Sequence, residues 1–279
     1  MSEGAFNHAE TRELLERLDH NPRHWLGQNF LVDPNIVRKS VELAGVAPGD
    51  RVVEVGPGLG TLTGALLSAG ADVWAVERDA TLAAHLRQTL AGGGRLHLTE
   101  GDAMDHPLAN LPDARDGSFK IVANLPYAIS SPWMESICQG PHPSLLVLML
   151  QREAADRLTA QVGTGHWSAL TAQVDLAFER AGLHPVPAKC FHPAPKVDSC
   201  LLFLRRRADA RRLGAHARKV ARLLFTQRRK QVGSAARNLF PDDPVVTRWL
   251  SRLPEHGLTP MARPETIPAK VWLELDGTS

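Results

Sequence analysis

Arg51-Val52-Val53-Glu54-Val55-Gly56-Pro57-Gly58-Leu59-Gly60-Thr61-Leu62 is the stretch that decides the fold. Three valines in five residues favour an extended, buried strand. The glycines at 56, 58 and 60 then stop it, because glycine lets the backbone turn sharply and pass close to a ligand. Thr61-Leu62 reopens a helical pattern. Strand, glycine loop and helix in that order make the first unit of an α/β domain whose loop faces a ligand.

Working outward, the same short apolar signature returns at Val73 to Val76, Leu96 to Thr99, Phe119 to Ala123 and Leu145 to Leu150, with helical periodicity between. This alternation predicts a mostly parallel, doubly wound sheet. Upstream, Glu10 to Leu18 has the spacing of an amphipathic helix closed by the turn signal Asn21-Pro22, and Trp25 to Leu31 reads as a loop. Downstream, helical patterns at Glu153 to Gln161 and Ser168 to Glu179 precede the stiff connector Phe191-His192-Pro193-Ala194-Pro195 and a late strand, Cys200 to Leu204. From about Ala208 the pattern is helical, with turns at Pro241, Pro254 to Gly257 and Pro260. Two domains are expected, residues 1–207 around the sheet and a small all-helical domain at 208–279.

A chain of 279 residues with 43% hydrophobic content supports a full α/β core and a smaller appendage. Its three cysteines, Cys138, Cys190 and Cys200, have neither disulfide nor zinc spacing, which fits a reducing cytoplasm. No apolar run reaches the length needed to span a bilayer, so neither secretion nor membrane insertion is expected. Of the twelve histidines only His20 and His24 have the H-x-x-x-H spacing, across the turn signal Asn21-Pro22, none forms H-E-x-x-H, and no metal is expected. Net charge is only +2, but twelve basic residues between Arg205 and Arg237 face the single acid Asp209. Such a block attracts a polyanion, and Arg228-Arg229-Lys230 beside Gln227 and Asn238 points to nucleic acid, because amides also bond sugars and base edges.

The loop spacing Gly56, Gly58, Gly60 departs from the G-x-G-x-x-G of nicotinamide enzymes, and Glu54 precedes it. This suits S-adenosylmethionine, which brings no pyrophosphate to a helix N-terminus and whose cationic amino-acid end favours carboxylates. Glu77 ends the next strand, placed to take both ribose hydroxyls. Asp102, in Gly101-Asp102-Ala103 after the third strand, is placed to accept from the adenine amino group of the cofactor. Each acid alone would read as a helix cap or loop residue. Three at the ends of successive strands, around one glycine loop, read as a donor site.

Asn124-Leu125-Pro126-Tyr127 follows the fourth strand of this series. Taken alone it is a strand ending in a proline turn. Beside a methyl donor it has the makings of an amine clamp. The exocyclic amine of adenine is a poor nucleophile because its lone pair is delocalised into the ring. If the Asn124 side-chain oxygen and the Leu125 carbonyl each accept one N–H, that lone pair is localised. Tyr127 would stack on the base and face the positive charge of the sulfonium.

With Gly27-Gln28-Asn29-Phe30-Leu31, the loop from Glu54 to Leu62, Gly101 to Ala103, Asn124 to Pro132, Phe191 to Ser199 and Gln227 to Lys230 together, the chain resembles the bacterial small-subunit ribosomal RNA adenine dimethyltransferases, the KsgA family. The match runs from about Leu14 to Leu275. The resemblance implies a class I, Rossmann-like methyltransferase fold, with Asn29, Leu31, Gly56, Glu77, Asp102 and Asn124 at S-adenosylmethionine; Glu54 and Gly58 belong to the same loop. It implies as substrate two adjacent adenosines in the 3′-terminal hairpin of 16S rRNA in an immature 30S particle, each methylated twice on N6. The target base leaves its stack to reach the donor, and Tyr127 and Phe191 are the expected aromatic walls. A monomer is expected, since nothing demands a dimer.

Some residues depart from the family pattern. Trp25 stands where a small or basic residue is commoner, and Trp167 where tyrosine is usual. Gly233 and Ser234 replace an arginine and an asparagine after the basic run, which puts one RNA contact in doubt. Competing readings are a 23S rRNA adenine methyltransferase of the macrolide-resistance type, a DNA adenine methyltransferase, for whose recognition domain the last seventy or so residues leave little room, and an assembly factor in which catalysis is secondary.

Overall fold

The computed structural model describes residues 7–23 and 27–277, so Trp25 and the start of the loop expected from it lie outside the described residues. Contacts divide the chain into two units, Met1–Ala155 with Arg180–Arg206 and Asp156–Glu179 with Arg207–Ser279.

The first unit holds α1 (His8–Arg17), β1 (Phe30–Leu31), α2 (Pro34–Leu43), β2 (Arg51–Val55), α3 (Thr61–Ser68), β3 (Asp72–Glu77), α4 (Ala80–Thr89), β4 (Leu96–Glu100), β5 (Phe119–Asn124), α5 (Ser130–Gln139) and β6 (Leu145–Gln151). α6 (Arg152–Leu158), α7 (Ala169–Ala177), β7 (Phe178–Val186), β8 (Phe191–His192) and β9 (Ser199–Arg206) follow. The main sheet has seven strands in the order β4-β3-β2-β5-β6-β9-β7, and β1 pairs β8 in a separate two-stranded ribbon. The pairs from β4 to β6 are parallel, and β9 lies antiparallel to β6. Valines 52, 53 and 55 of β2 and the run Leu146 to Leu150 of β6 are buried, as strands covered on both faces must be. The mostly parallel, doubly wound sheet read from the alternation is therefore the fold.

The chain winds outward from β2 through β3 to β4, then returns to β5 on the other side of β2. Pairing between β2 and β5 covers only Arg51 to Val53 against Phe119 to Ile121. Beyond that, β2 stays with β3 through Val55, and β5 stays with β6 through Asn124. Their carboxyl ends therefore part at the point where the strand order reverses, which is where open α/β sheets bind ligands.

The second unit also contains α8 (Ala215–Thr226), α9 (Val232–Leu239), α10 (Pro244–Arg252) and α11 (Ala269–Trp272). Trp249 and Trp272 stack at its centre, 5.2 Å between ring centroids, each fully buried. Asp276 accepts from the Gly214 and Ala217 N–H groups and so caps α8, whose own first turn carries no side-chain cap. The sequence pattern assigns all of 1–207 to the sheet domain, but by contacts 156–179 and Arg207 group with the helices. Trp167, Ala172 and Leu176 bury their side chains in the helical core, and Trp167 Nε1 donates to the Ile267 carbonyl at 3.1 Å. The helix expected over Ser168 to Glu179 also ends earlier, at Ala177, where Phe178 turns extended and starts β7. No helix among the described residues is long and apolar enough to cross a membrane.

Candidate active site

Asn29, Leu31, Glu54, Gly56, Gly58, Glu77, Asp102 and Asn124 line one cleft of about 990 Å³, counted out to open solvent, at the parted ends of β2 and β5. The loop after β2 has left-handed backbone at Gly56 (φ +67°) and Gly58 (φ +60°), which other residues adopt only with strain. A Cβ on Gly56 would stand 3.3 Å from Pro126, and one on Gly58 would stand 3.2 Å from the Phe30 ring. Gly56 thus lets the loop pack against Pro126 of the Asn-Leu-Pro-Tyr segment, and Gly58 lets it pack against Phe30.

Glu54 is 1% exposed, and Thr63 Oγ1 donates to its Oε2 at 2.7 Å. Burial pushes its carboxyl up to about 8; the Thr63 bond works against this and the nearby Glu77 charge adds to it. Glu77 is also buried, and burial raises it as well, offset by the Asp79 N–H on Oε1 (2.9 Å) and the Gly58 N–H on Oε2 (3.0 Å). These bonds, with one more from the Arg78 N–H, fix its carboxylate. Asp102 is more open; its Oδ1 accepts from the Met104 N–H at 2.9 Å, and Arg78 stands 3.1 Å from its Oδ2. Buried carboxylates around a glycine cradle form a donor set that fits a cationic amino-acid nucleoside and disfavours a phosphate.

Asn124 ends β5 half-buried, and its Nδ2 donates to the Asn29 carbonyl at 3.0 Å. With the amide nitrogen so committed, Oδ1 is the group left to accept. Leu125 buries its side chain (1% exposed). Tyr127 is half-buried, with its hydroxyl 2.6 Å from Ser199 Oγ at the start of β9. Burial raises its phenol, partly offset by the Ser199 bond. Phe191 is different. Its ring is 0% exposed and sits in the sheet core with Leu31, Val122, Met149 and Leu201. The expected second aromatic wall is therefore a core side chain in this structure, because β8 pairs with β1 through Leu31 opposite Phe191 and turns the ring inward.

Two residues with central contacts were not anticipated. Asp79 is 1% exposed, and Gln28 reaches it across 51 residues of sequence. Gln28 stands in the Gly27 to Leu31 motif and Asp79 caps α4, but only the tertiary structure brings the two together.

In the second unit, Arg229 and Lys230 are exposed, while Arg228 lies half-buried with its guanidinium 5.9 Å from the Phe225 ring centre. Gly233 is buried; its N–H donates to the Pro260 carbonyl at 2.8 Å, and a Cβ there would fall 2.6 Å from Pro260 Cβ. The turn at Pro260 fills the space that an arginine side chain at 233 would need.

Fold and site together define a class I methyltransferase that uses S-adenosylmethionine. Residues 19–251 match the model of the ribosomal RNA adenine dimethylase family. A ribosomal RNA small subunit methyltransferase A from Opitutus terrae is 53% identical over 267 residues, 95% of this chain and 96% of the relative. Among solved structures, a dimethyladenosine transferase from Plasmodium falciparum superposes with a TM-score of 0.73 at 25% identity, covering 88% of this chain and 95% of the other. The 23S rRNA methyltransferase ErmE gives 0.64 at 29% identity, covering 88% and 98%. The chain belongs to the ribosomal RNA adenine dimethylase family.

Proposed function

We propose that this protein transfers methyl groups from S-adenosylmethionine to N6 of two adjacent adenosines in the 3′-terminal hairpin of small-subunit rRNA, twice on each. The observation that carries this reading is Asn124, a side-chain amide held by Asn29 at the rim of a carboxylate-lined cleft, with its oxygen left to accept. Its acceptor and the Leu125 carbonyl draw the two N–H bonds of the amine and localise its lone pair. The bound donor supplies the electrophilic methyl. Glu54, Glu77 and Asp102 would hold the donor, with Gly56 and Gly58 giving its backbone room. Tyr127, its hydroxyl anchored by Ser199, offers the base a stacking face. Catalysis rests on positioning and polarisation, since the cationic product amine loses its proton readily.

Residues 208–279 would bind RNA, with Arg228, Arg229 and Lys230 meeting phosphate. The substrate is an immature 30S particle in the cytoplasm, and the enzyme acts as a monomer. Likeness to ErmE leaves the 23S reading as the competitor; the 53% identity over nearly full length to a small subunit methyltransferase A favours the small subunit. Incubation with labelled S-adenosylmethionine and unmethylated small subunits, large subunits or DNA tests the choice. Label on paired adenosines of small-subunit RNA is expected; label confined to large-subunit RNA or DNA would overturn the assignment.

A further inference from the structure

Two groups of residues named above, the donor acids and the amine acceptor, are joined by a run of hydrogen bonds. The Asp79 N–H donates to Glu77 Oε1 at 2.9 Å. Asp79 Oδ1 accepts from the Thr81 and Leu82 N–H groups and caps α4. Its Oδ2 accepts from Gln28 Nε2 at 3.3 Å and meets Arg23 Nη1 at 3.2 Å, with His20 Nε2 at 3.9 Å. Gln28 Oε1 in turn accepts from the Arg23 N–H at 2.7 Å and lies 3.1 Å from His20 Nε2. Every hydrogen-bonding atom of the Gln28 amide is therefore aimed at a defined partner, and the amide cannot flip without setting donor against donor. The next residue, Asn29, presents the carbonyl that holds Asn124.

We propose that Asp79 and Gln28 are positioning residues for methyl transfer: they fix the 27–29 segment so that the Asn29 carbonyl orients the Asn124 amide with its oxygen towards the target amine. The inference rests on the role proposed for Asn124, but it concerns an orientation present before any substrate binds. Asp79 touches neither donor nor base in this scheme. It acts through Gln28 and the backbone of Asn29, and one residue thereby serves the donor side through its N–H and the acceptor side through its carboxylate. Networks around a buried carboxylate such as Asp79 specify geometry only while every member is satisfied.

A reciprocal swap tests it. Asp79→Asn keeps an oxygen for the α4 cap but turns an NH2 towards the NH2 of Gln28. Gln28→Glu sets a carboxylate against Asp79. The double variant Asp79→Asn/Gln28→Glu restores one donor and one acceptor at equal net charge. Each single change is expected to lower the single-turnover methyl-transfer rate at saturating donor by roughly 10-fold or more, and the swap to recover at least half of the loss on a logarithmic scale. Without donor or RNA, the side-chain NH2 resonances of Asn124 should shift or broaden in each single variant and return in the swap. Gln28→Met, which leaves the α4 cap intact, should move the same resonances if Asp79→Asn fails to fold. Unmoved Asn124 resonances in the folded single variants, or a swap no better than the product of its singles, would overturn the proposal. If the resonances behave as expected while small-subunit RNA is not methylated, the fault lies with the substrate assignment and not with the network.

Discussion

Glu54→Gln should remove a large part of the pH dependence of stability in the donor-free protein. The Glu54 carboxyl is enclosed at the end of β2, and burial pushes it up to about 8. Folded protein holds that proton more tightly than unfolded protein does. Glu54 therefore favours the folded state below the ordinary carboxylate range, and the advantage is lost as pH rises towards about 8. Each unit of pH in that window costs about 1.4 kcal/mol. Between pH 6 and pH 8, with the curve flattening near the upper end, the loss is about 2 kcal/mol. Glutamine cannot titrate, while its oxygen still accepts from Thr63. Its own cost or gain is constant with pH and drops out of the pH slope of the difference; Glu77, whose charge is a lesser cause of the Glu54 shift, leaves only a smaller residual there. Urea unfolding at pH 6, 7 and 8, without donor, should show the variant gaining about 2 kcal/mol on the parent, or about 4–8 °C in Tm for a unit of this size. A stability difference that stays flat across those pH values would refute a protonated Glu54.

Three further outcomes are expected. Asn124→Ala should reduce the single-turnover methylation rate by about 100-fold or more, as loss of a preorganised polar partner does, while leaving unfolding by urea within about 1 kcal/mol. Phe191→Ala should cost roughly 3–5 kcal/mol in the same unfolding assay, because the ring is wholly enclosed in the sheet core; a cost below about 1 kcal/mol would place it outside that core. Arg229→Ala and Lys230→Ala should each weaken RNA binding across unrelated sequences and lower the slope of log affinity against log salt by roughly 1, measured by fluorescence anisotropy.

How far the sequence could be read followed the range of each signal. β2 has the same bounds, Arg51–Val55, in pattern and structure, since valines start it and glycine ends it locally. Strands β3 to β6 differ from their apolar runs by a residue or two, each run stopping short of the polar end residue that the ladder includes. β7 was illegible: Glu179, Arg180 and Ala181 are exposed in succession, so no alternation announces a strand. β1 and β8 have two residues each, too few for any period, and exist only because they pair with one another. The same limit applies at the site. Glu54, Glu77, Asp102 and Asn124 could be proposed together from sequence because each lies at or just beyond a strand end. Asp79 and Gln28 could not, because their meaning lies in a contact between distant segments. Phe191 was assigned to the clamp although a two-residue pairing turns its ring into the core.

The second methylation of each adenine puts a specific demand on the proposed clamp. A monomethyl amine has one N–H, and it faces two acceptors. Neither acceptor has freedom to turn aside. Asn124 is held by Asn29, and the Leu125 backbone is flanked by a buried side chain and by Pro126, which packs on the cofactor loop at Gly56. One acceptor must then meet a methyl group in place of a hydrogen, and an acceptor left unsatisfied in a partly buried site costs about 1–3 kcal/mol. If that cost falls on the transition state, the second transfer is slower than the first by roughly 5- to 150-fold at equal donor occupancy. Quenched-flow methylation followed by nucleoside analysis should show monomethyladenosine rising before dimethyladenosine. First and second transfers at the same rate, with no such rise, would mean that the clamp does not hold both N–H bonds in the first turnover.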